Sequence, residues 1–228
     1  GIVNPINEIA RAVKARGKAY MVDAMSSFGA VALDMGVGMD VMVSSSNRCI
    51  EGVPGFSYVL VKRAMLEASK GMSHSVVLDL FEQWKGLEAN GQFRFTPPTH
   101  VVVALHEAIA QFEAEGGQSA RLARYTRNYQ TLITGMAALG FKPFLDPAVQ
   151  APIIVTFHAP QHPAYEFKRF YDTAKHYGFL LYPGKLTTVE TFRVGCIGAI
   201  GRQEMRQAVD AVAQTLRDMG ISQPAIGA

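Results

Sequence analysis

The sequence predicts an α/β protein: a parallel-rich sheet with covering helices, followed by a smaller α+β part. Three observations predict it. Helical and strand patterns alternate through the first half, as in βαβ units. Two apolar strands, residues 18–22 and 41–44, each run into a tip of small polar residues, Asp23-Ala24-Met25-Ser26-Ser27 and Ser44-Ser45-Ser46-Asn47-Arg48. From Gly140 onward the pattern changes to short strands mixed with amphipathic helices. Ligands of parallel α/β sheets bind beyond the carboxyl ends of the strands, so both polar tips are expected to face one crevice. The expected division is residues 1–117 for part of a large domain and 118–228 for a connecting helix and a small C-terminal domain.

Taken in order, Asn4 is placed as the cap of a first helix with Pro5 at its first position. Ile6, Ile9, Ala10 and Val13 form its apolar face, and Gly17 stops it. The strand at 18–22 delivers Asp23, and an irregular link containing Gly29, Gly36 and Gly38 leads to the strand at 41–44. Gly52-Val53-Pro54-Gly55 turns the chain into a strand at 56–61, and a helix follows over 63–70. Between 71 and 98 the pattern is ambiguous. Leu78, Leu80, Phe81 and Trp84 fit a short helix or an extended segment, 86–91 reads as a turn, and Thr96-Pro97-Pro98-Thr99 cannot be mid-helix. Thr99 is placed as the cap of a helix with the stripe Val102, Leu105, Ile109 and Phe112, ended by Gly116-Gly117. A long helix over 119–139 is expected to cross the domain boundary. Strands at 153–157, 179–182 and 191–196 and helices at 165–177 and 202–219 complete the small domain, with 222–228 as a frayed tail.

Composition narrows the function classes. With 228 residues, 49% of them hydrophobic, the chain can bury a real core. The net charge of +3 is dispersed, without a basic stripe of the kind that grips nucleic acid. Cys49 and Cys196 are far apart and make neither a disulfide framework nor a zinc spacing, and the six histidines show no ligand spacing. No metal is expected. No stretch has the apolar length of a membrane span, and a cytoplasmic location is expected.

Four motifs stand out: Val22-Asp23-Ala24-Met25-Ser26-Ser27-Phe28-Gly29; Ser44-Ser45-Ser46-Asn47-Arg48-Cys49-Ile50-Glu51-Gly52-Val53-Pro54-Gly55-Phe56; Phe95-Thr96-Pro97-Pro98-Thr99-His100; and Tyr182-Pro183-Gly184-Lys185. Together they resemble the class-V, fold-type I aminotransferases that depend on pyridoxal 5'-phosphate. Within that family they are most similar to the members that move an amino group from 2-aminoethylphosphonate to pyruvate, in phosphonate catabolism. The resemblance covers most of the chain and corresponds to the later part of such enzymes. It implies that the loop for the cofactor phosphate and the aromatic that stacks on the ring belong to a preceding stretch, so the chain reads as a fragment.

The resemblance also implies roles for four residues. Asp23 would hold the pyridine nitrogen protonated and keep the ring an electron sink; an ordinary turn aspartate is the alternative. Arg48 stands where the family carries the lysine that forms the Schiff base and then shuttles a proton. Both tasks need an amine that can lose its proton, and a guanidinium keeps its own. Thr96 matches a residue that reaches the cofactor phosphate of a second subunit, which implies a homodimer; a turn hydroxyl beside two prolines is its plainer reading. Arg193, within Thr191-Phe192-Arg193-Val194-Gly195, matches the arginine that clamps the substrate carboxylate, against the alternative of a surface arginine on an edge strand. Cys49 is expected to be buried and inert. Two other readings stay open: an alanine– or serine–glyoxylate-type transaminase, and a non-catalytic remnant of the fold.

Overall fold

The computed structural model describes residues 1–185 and 188–222. The chain divides into two compact units, Pro5–Gln118 and the residues from Ser119 on, the latter joined by Gly1–Asn4. The expected tail falls, beyond Ser222, outside the described residues.

The N-terminal unit is built on a three-stranded sheet in the order β1 (Met21–Asp23), β2 (Val41–Ser45), β3 (Ser57–Val61). β1 and β2 are parallel, with Asp23 opposite Val43. β3 runs antiparallel to β2, with Ser45 opposite Ser57, so the sheet expected to be parallel-rich is mixed. The reason lies in the connection: the chain leaves β2 through tight turns rather than a crossover helix, and only antiparallel neighbours can be joined that way.

Four helices accompany this sheet. α1 (Ile6–Lys14) begins after Pro5, and Asn4 does not cap it. α2 covers Arg63–Ala68. α3 (Leu80–Asn90) runs through the expected turn: Gly86 is helical, the Asp79 carboxylate accepts a hydrogen bond from the Glu82 amide at 3.1 Å, and Gly91 ends the helix in the left-handed region. One interior glycine costs only about 1 kcal/mol, which a good cap at each end offsets. α4 (Thr99–Glu115) starts after Pro98, so Thr99 is its first residue and not its cap.

Val22, Ala24, Met39 and Met42 form a small core with Ile6, Tyr20, Phe28, Leu33 and Met35 packed against it. At the entry to β2, buried Asp40 ties three elements together. Its carboxylate accepts from the Lys14 ammonium, from the Tyr20 amide at 2.8 Å and from Lys62 at 3.4 Å. Those donors, Lys14 first, hold its pKa down at about 2.

The second unit contains most of α5 (Gly117–Ala138), whose buried residues Arg121, Tyr125, Asn128, Leu132 and Met136 recur at helical spacing. Its sheet is antiparallel in the order β4 (Ile154–His158), β6 (Thr191–Gly195), β5 (Tyr182–Pro183). α6 (Phe167–His176) and α7 (Arg202–Asp218) bury Phe170, Ala174, Met205, Val212 and Leu216 in its core. Phe192 sits at the centre of that core, with Phe141, Phe157 and Phe170 rings 5.1–5.7 Å away. Each fully buried side chain of this size contributes roughly 2 kcal/mol through the hydrophobic effect. The first residues close onto the same unit: the Val3 amide donates to the Val149 carbonyl at 2.9 Å and the Ala151 amide to the Gly1 carbonyl at 2.7 Å.

Candidate active site

Asp23 is the last residue of β1 and its side chain is exposed. One carboxylate oxygen accepts a hydrogen bond from the Met25 amide at 2.9 Å, which shapes the turn that follows. The strand end is pinned to β2 from both sides: the Ala24 amide donates to the Val43 carbonyl at 2.9 Å, and the buried Ser44 hydroxyl donates to the Ala24 carbonyl at 3.4 Å. Exposed acid on a fixed backbone is what a carboxylate needs to meet a ligand in a set direction.

The tip of β2 is held as firmly. Ser46 is buried; its hydroxyl donates to the Val53 carbonyl at 2.5 Å and its amide to the Phe56 carbonyl at 3.1 Å. The Gly52 amide returns to the Ser46 carbonyl at 2.8 Å and the Glu51 amide to the Arg48 carbonyl at 2.9 Å. Glu51 takes a left-handed conformation, φ +61°, which costs a non-glycine residue about 1 kcal/mol and tightens the turn. The result is a loop whose flanks, Ser46 and Cys49, are buried while Asn47 and Arg48 stand exposed. Three serines after an apolar strand were the signal for this turn, although the carbonyl partners of Ser44 and Ser46 lie too far along the chain to be read from spacing.

The two tips meet. The Cys49 thiol donates to the Ser26 carbonyl at 3.3 Å. At Gly29, φ +95° favours glycine, and a Cβ there would come within 2.7 Å of Ile50 Cδ1 and 3.4 Å of the Cys49 carbonyl carbon, so the turn after β1 lies close against the Arg48 loop. α4 supports the loop: a Cβ on Gly52 would lie 3.4 Å from the Ala108 Cβ, and one on Gly55 3.2 Å from Val101. Asp23 and Arg48 thus project from adjoining, mutually braced turns at one end of one sheet. An exposed acid and an exposed cation on adjoining turns suit a ligand that carries both a basic nitrogen and an anionic group.

Thr96 lies exposed in the loop between α3 and α4, and among the described residues no hydrogen bond or ring contact joins it to either tip.

Arg193 belongs to the second unit and lies on β6, the central strand of its sheet, not on an edge. Phe192 and Val194 point into the core, which leaves Arg193 on the opposite face, half-buried. Its Nε donates to the Pro183 carbonyl at 2.9 Å, and its guanidinium stands 5.9 Å from the centre of the Tyr182 ring.

Cys49 and Cys196 are both buried, and burial pushes the Cys196 thiol up to about 12. Among the described residues no cluster of three metal-ligating side chains occurs, and no helix is long and apolar enough to cross a membrane.

Comparison with known proteins adds to this geometry. Residues 1–176 match the family model described as aminotransferase class-V. A protein of Polaromonas sp. named 2-aminoethylphosphonate–pyruvate transaminase 2 is 63% identical over 226 residues, which are 99% of this chain and 61% of that protein. A Burkholderia lata protein of the same name is 56% identical over 222 residues, 97% of this chain and 59% of its own length. The chain therefore spans about three-fifths of the length of these relatives. Among solved structures, the ureidoglycine–glyoxylate aminotransferase of Bacillus subtilis superposes with a TM-score of 0.86 at 17% identity, over 100% of this chain and 59% of that one. The pyridoxamine–pyruvate aminotransferase of Mesorhizobium loti gives 0.86 at 22% identity, over 96% and 57%. At such identities the likeness is one of fold.

Proposed function

Because the chain belongs to the class-V aminotransferase family, we propose that it forms the later part of a pyridoxal-phosphate-dependent transaminase acting on 2-aminoethylphosphonate and pyruvate. The amino group would pass from 2-aminoethylphosphonate, which leaves as phosphonoacetaldehyde, to pyruvate, which becomes alanine. The observation that carries this reading is the pair of braced tips bearing Asp23 and Arg48, set beside relatives of 55–63% identity that share one name. That shared name also favours phosphonate over the glyoxylate-type alternatives.

Pyridoxal phosphate when bound supplies an electron sink that stabilises negative charge at the substrate carbon. The residues present fit part of that role. The exposed Asp23 carboxylate, locked by the Met25 amide, can accept a hydrogen bond from the protonated ring nitrogen and keep it charged. Arg48 does not fit the covalent part, since a guanidinium neither condenses with an aldehyde nor gives up its proton. It can offer charge and hydrogen bonds to the phosphate or to a substrate acid. Arg193 is assigned the substrate carboxylate, which its planar fork suits. Thr96 is assigned the cofactor phosphate of a second copy, which makes the working unit a homodimer, and we place it in the cytoplasm.

On this reading the chain as written holds the cofactor without a covalent bond and turns over poorly, and the remnant reading differs only in how little activity is left. The test is Arg48→Lys in a polypeptide of the relatives' full length, with pyridoxal phosphate added. The expected outcome is a new absorbance band near the visible edge, cofactor fixed to protein by borohydride, and alanine formed from pyruvate. The arginine form should show no fixation. A lysine variant that stays colourless and inert would remove Arg48 from the site.

A further inference from the structure

We propose that Tyr182, together with the Pro183 carbonyl, presets the Arg193 guanidinium so that it grips an anion end-on through its two Nη groups. The inference rests on reading Arg193 as the carboxylate-binding residue, and it gives the Tyr182-Pro183-Gly184 motif a task.

The geometry is specific. Tyr182 is the residue directly opposite Arg193 in the β5–β6 register, so the two side chains share one face of the sheet. The ring lies within cation–π range of the guanidinium, at 5.9 Å. The Nε donor is already taken by the Pro183 carbonyl at 2.9 Å. Among the described residues neither Nη group has a hydrogen-bond partner. A carboxylate can be held by a guanidinium either side-on, through Nε and one Nη, or end-on, through both Nη groups. With Nε occupied, only the end-on approach remains. Tyr182 and Pro183 therefore choose the direction from which the anion arrives, and they hold a long side chain that would otherwise lose rotamer freedom on binding.

Gly184 makes the arrangement possible. Its amide donates to the Thr191 carbonyl at 2.7 Å, and a Cβ there would lie 2.5 Å from that same oxygen and closer still to the Thr191 hydroxyl. Any side chain at 184 would lift β5 from β6 and carry the Pro183 carbonyl away from Arg193. Tyr182 is by contrast 53% exposed on a two-residue edge strand, so its truncation leaves the core intact.

In this role Tyr182 is a positioning residue, and the test is spectroscopic. In the 15N-labelled 228-residue chain, the Arg193 Nε–H signal is identified by its loss in Arg193→Lys, and its exchange with solvent is measured. The bonded Nε–H should exchange slowly in the parent and in Tyr182→Phe, which keeps the ring face. In Tyr182→Ala exchange should quicken about twofold to fivefold, the size of one exposed cation–π contact. Unchanged exchange in Tyr182→Ala overturns the proposal. Pyruvate, titrated by chemical-shift change, judges the underlying reading separately. Binding that weakens in Arg193→Lys supports the carboxylate role. Binding that is equal in both forms removes that role, while the exchange result still decides whether Tyr182 orders the guanidinium.

Discussion

At the scale of single residues, chemistry here is decided by what each side chain has already spent. The Cys49 thiol donates to a carbonyl and lies under the Arg48 loop, while Cys196 is sealed in the core with its pKa pushed up to about 12. A thiol reagent works on thiolate, so neither cysteine should react in the folded chain at pH 8, and both should react together on unfolding. Rapid labelling of either in native buffer would show that its burial is not kept in solution. That Asp23 and Arg48 stand at strand tips was legible in the sequence, because small polar residues follow each apolar run, while the roles expected of them came only from the family resemblance. The bonds that make those residues usable were not legible. Ser46 reaches seven and ten positions ahead, and Arg193 meets the Pro183 carbonyl through a strand register that no local pattern encodes.

Elements joined across the chain carry a different lesson, and Asp40 is the clearest case. It precedes β2, accepts from α1 through Lys14, from the approach to β1 through Tyr20 and from the end of β3 through Lys62. Its folded pKa of about 2 lies below the unfolded value, so its stabilisation is complete above pH 4 and is lost as pH falls toward 2. Asp40→Ala should lower stability by about 2 kcal/mol at neutral pH. It should also flatten the acid limb of the stability curve between about pH 4 and pH 2, as followed by urea unfolding at several pH values. An acid limb unchanged by the substitution would contradict that role. Helix and strand positions were largely foreseen from periodicity, because a 3.6-residue repeat and a run of β-branched residues survive in any context. Three features were not foreseen: the helical Gly86, the uncapped starts of α1 and α4, and the antiparallel β3. Each depends on tertiary packing or on how the connection runs, and propensity is too weak to decide such matters.

For the molecule as a whole, the sheet of the N-terminal unit ends in two strands, β1 and β3, that have one neighbour each among the described residues. The outer strand β3 also exposes Leu60, and Val76, Val77 and Leu78 further along the same unit are more than 65% exposed. Unpaired edges and open apolar surface favour self-association. Leu60→Lys should shift the onset of light scattering of the 228-residue chain to higher protein concentration. An unchanged onset would place the sticky surface elsewhere.

The return of Gly1–Asn4 to the second unit carries a kinetic consequence. The Gln150 amide that meets the Gly1 carbonyl at 3.1 Å lies 149 positions along the chain. During synthesis those four residues precede their partners at 149–151 and wait without them while Pro5–Gln118 is made behind them. Long-range closure of this kind is slow compared with local helix formation. The docking of Gly1–Asn4 should therefore come late in folding, and a ribosome stalled before residue 149 would display these four residues still without those partners.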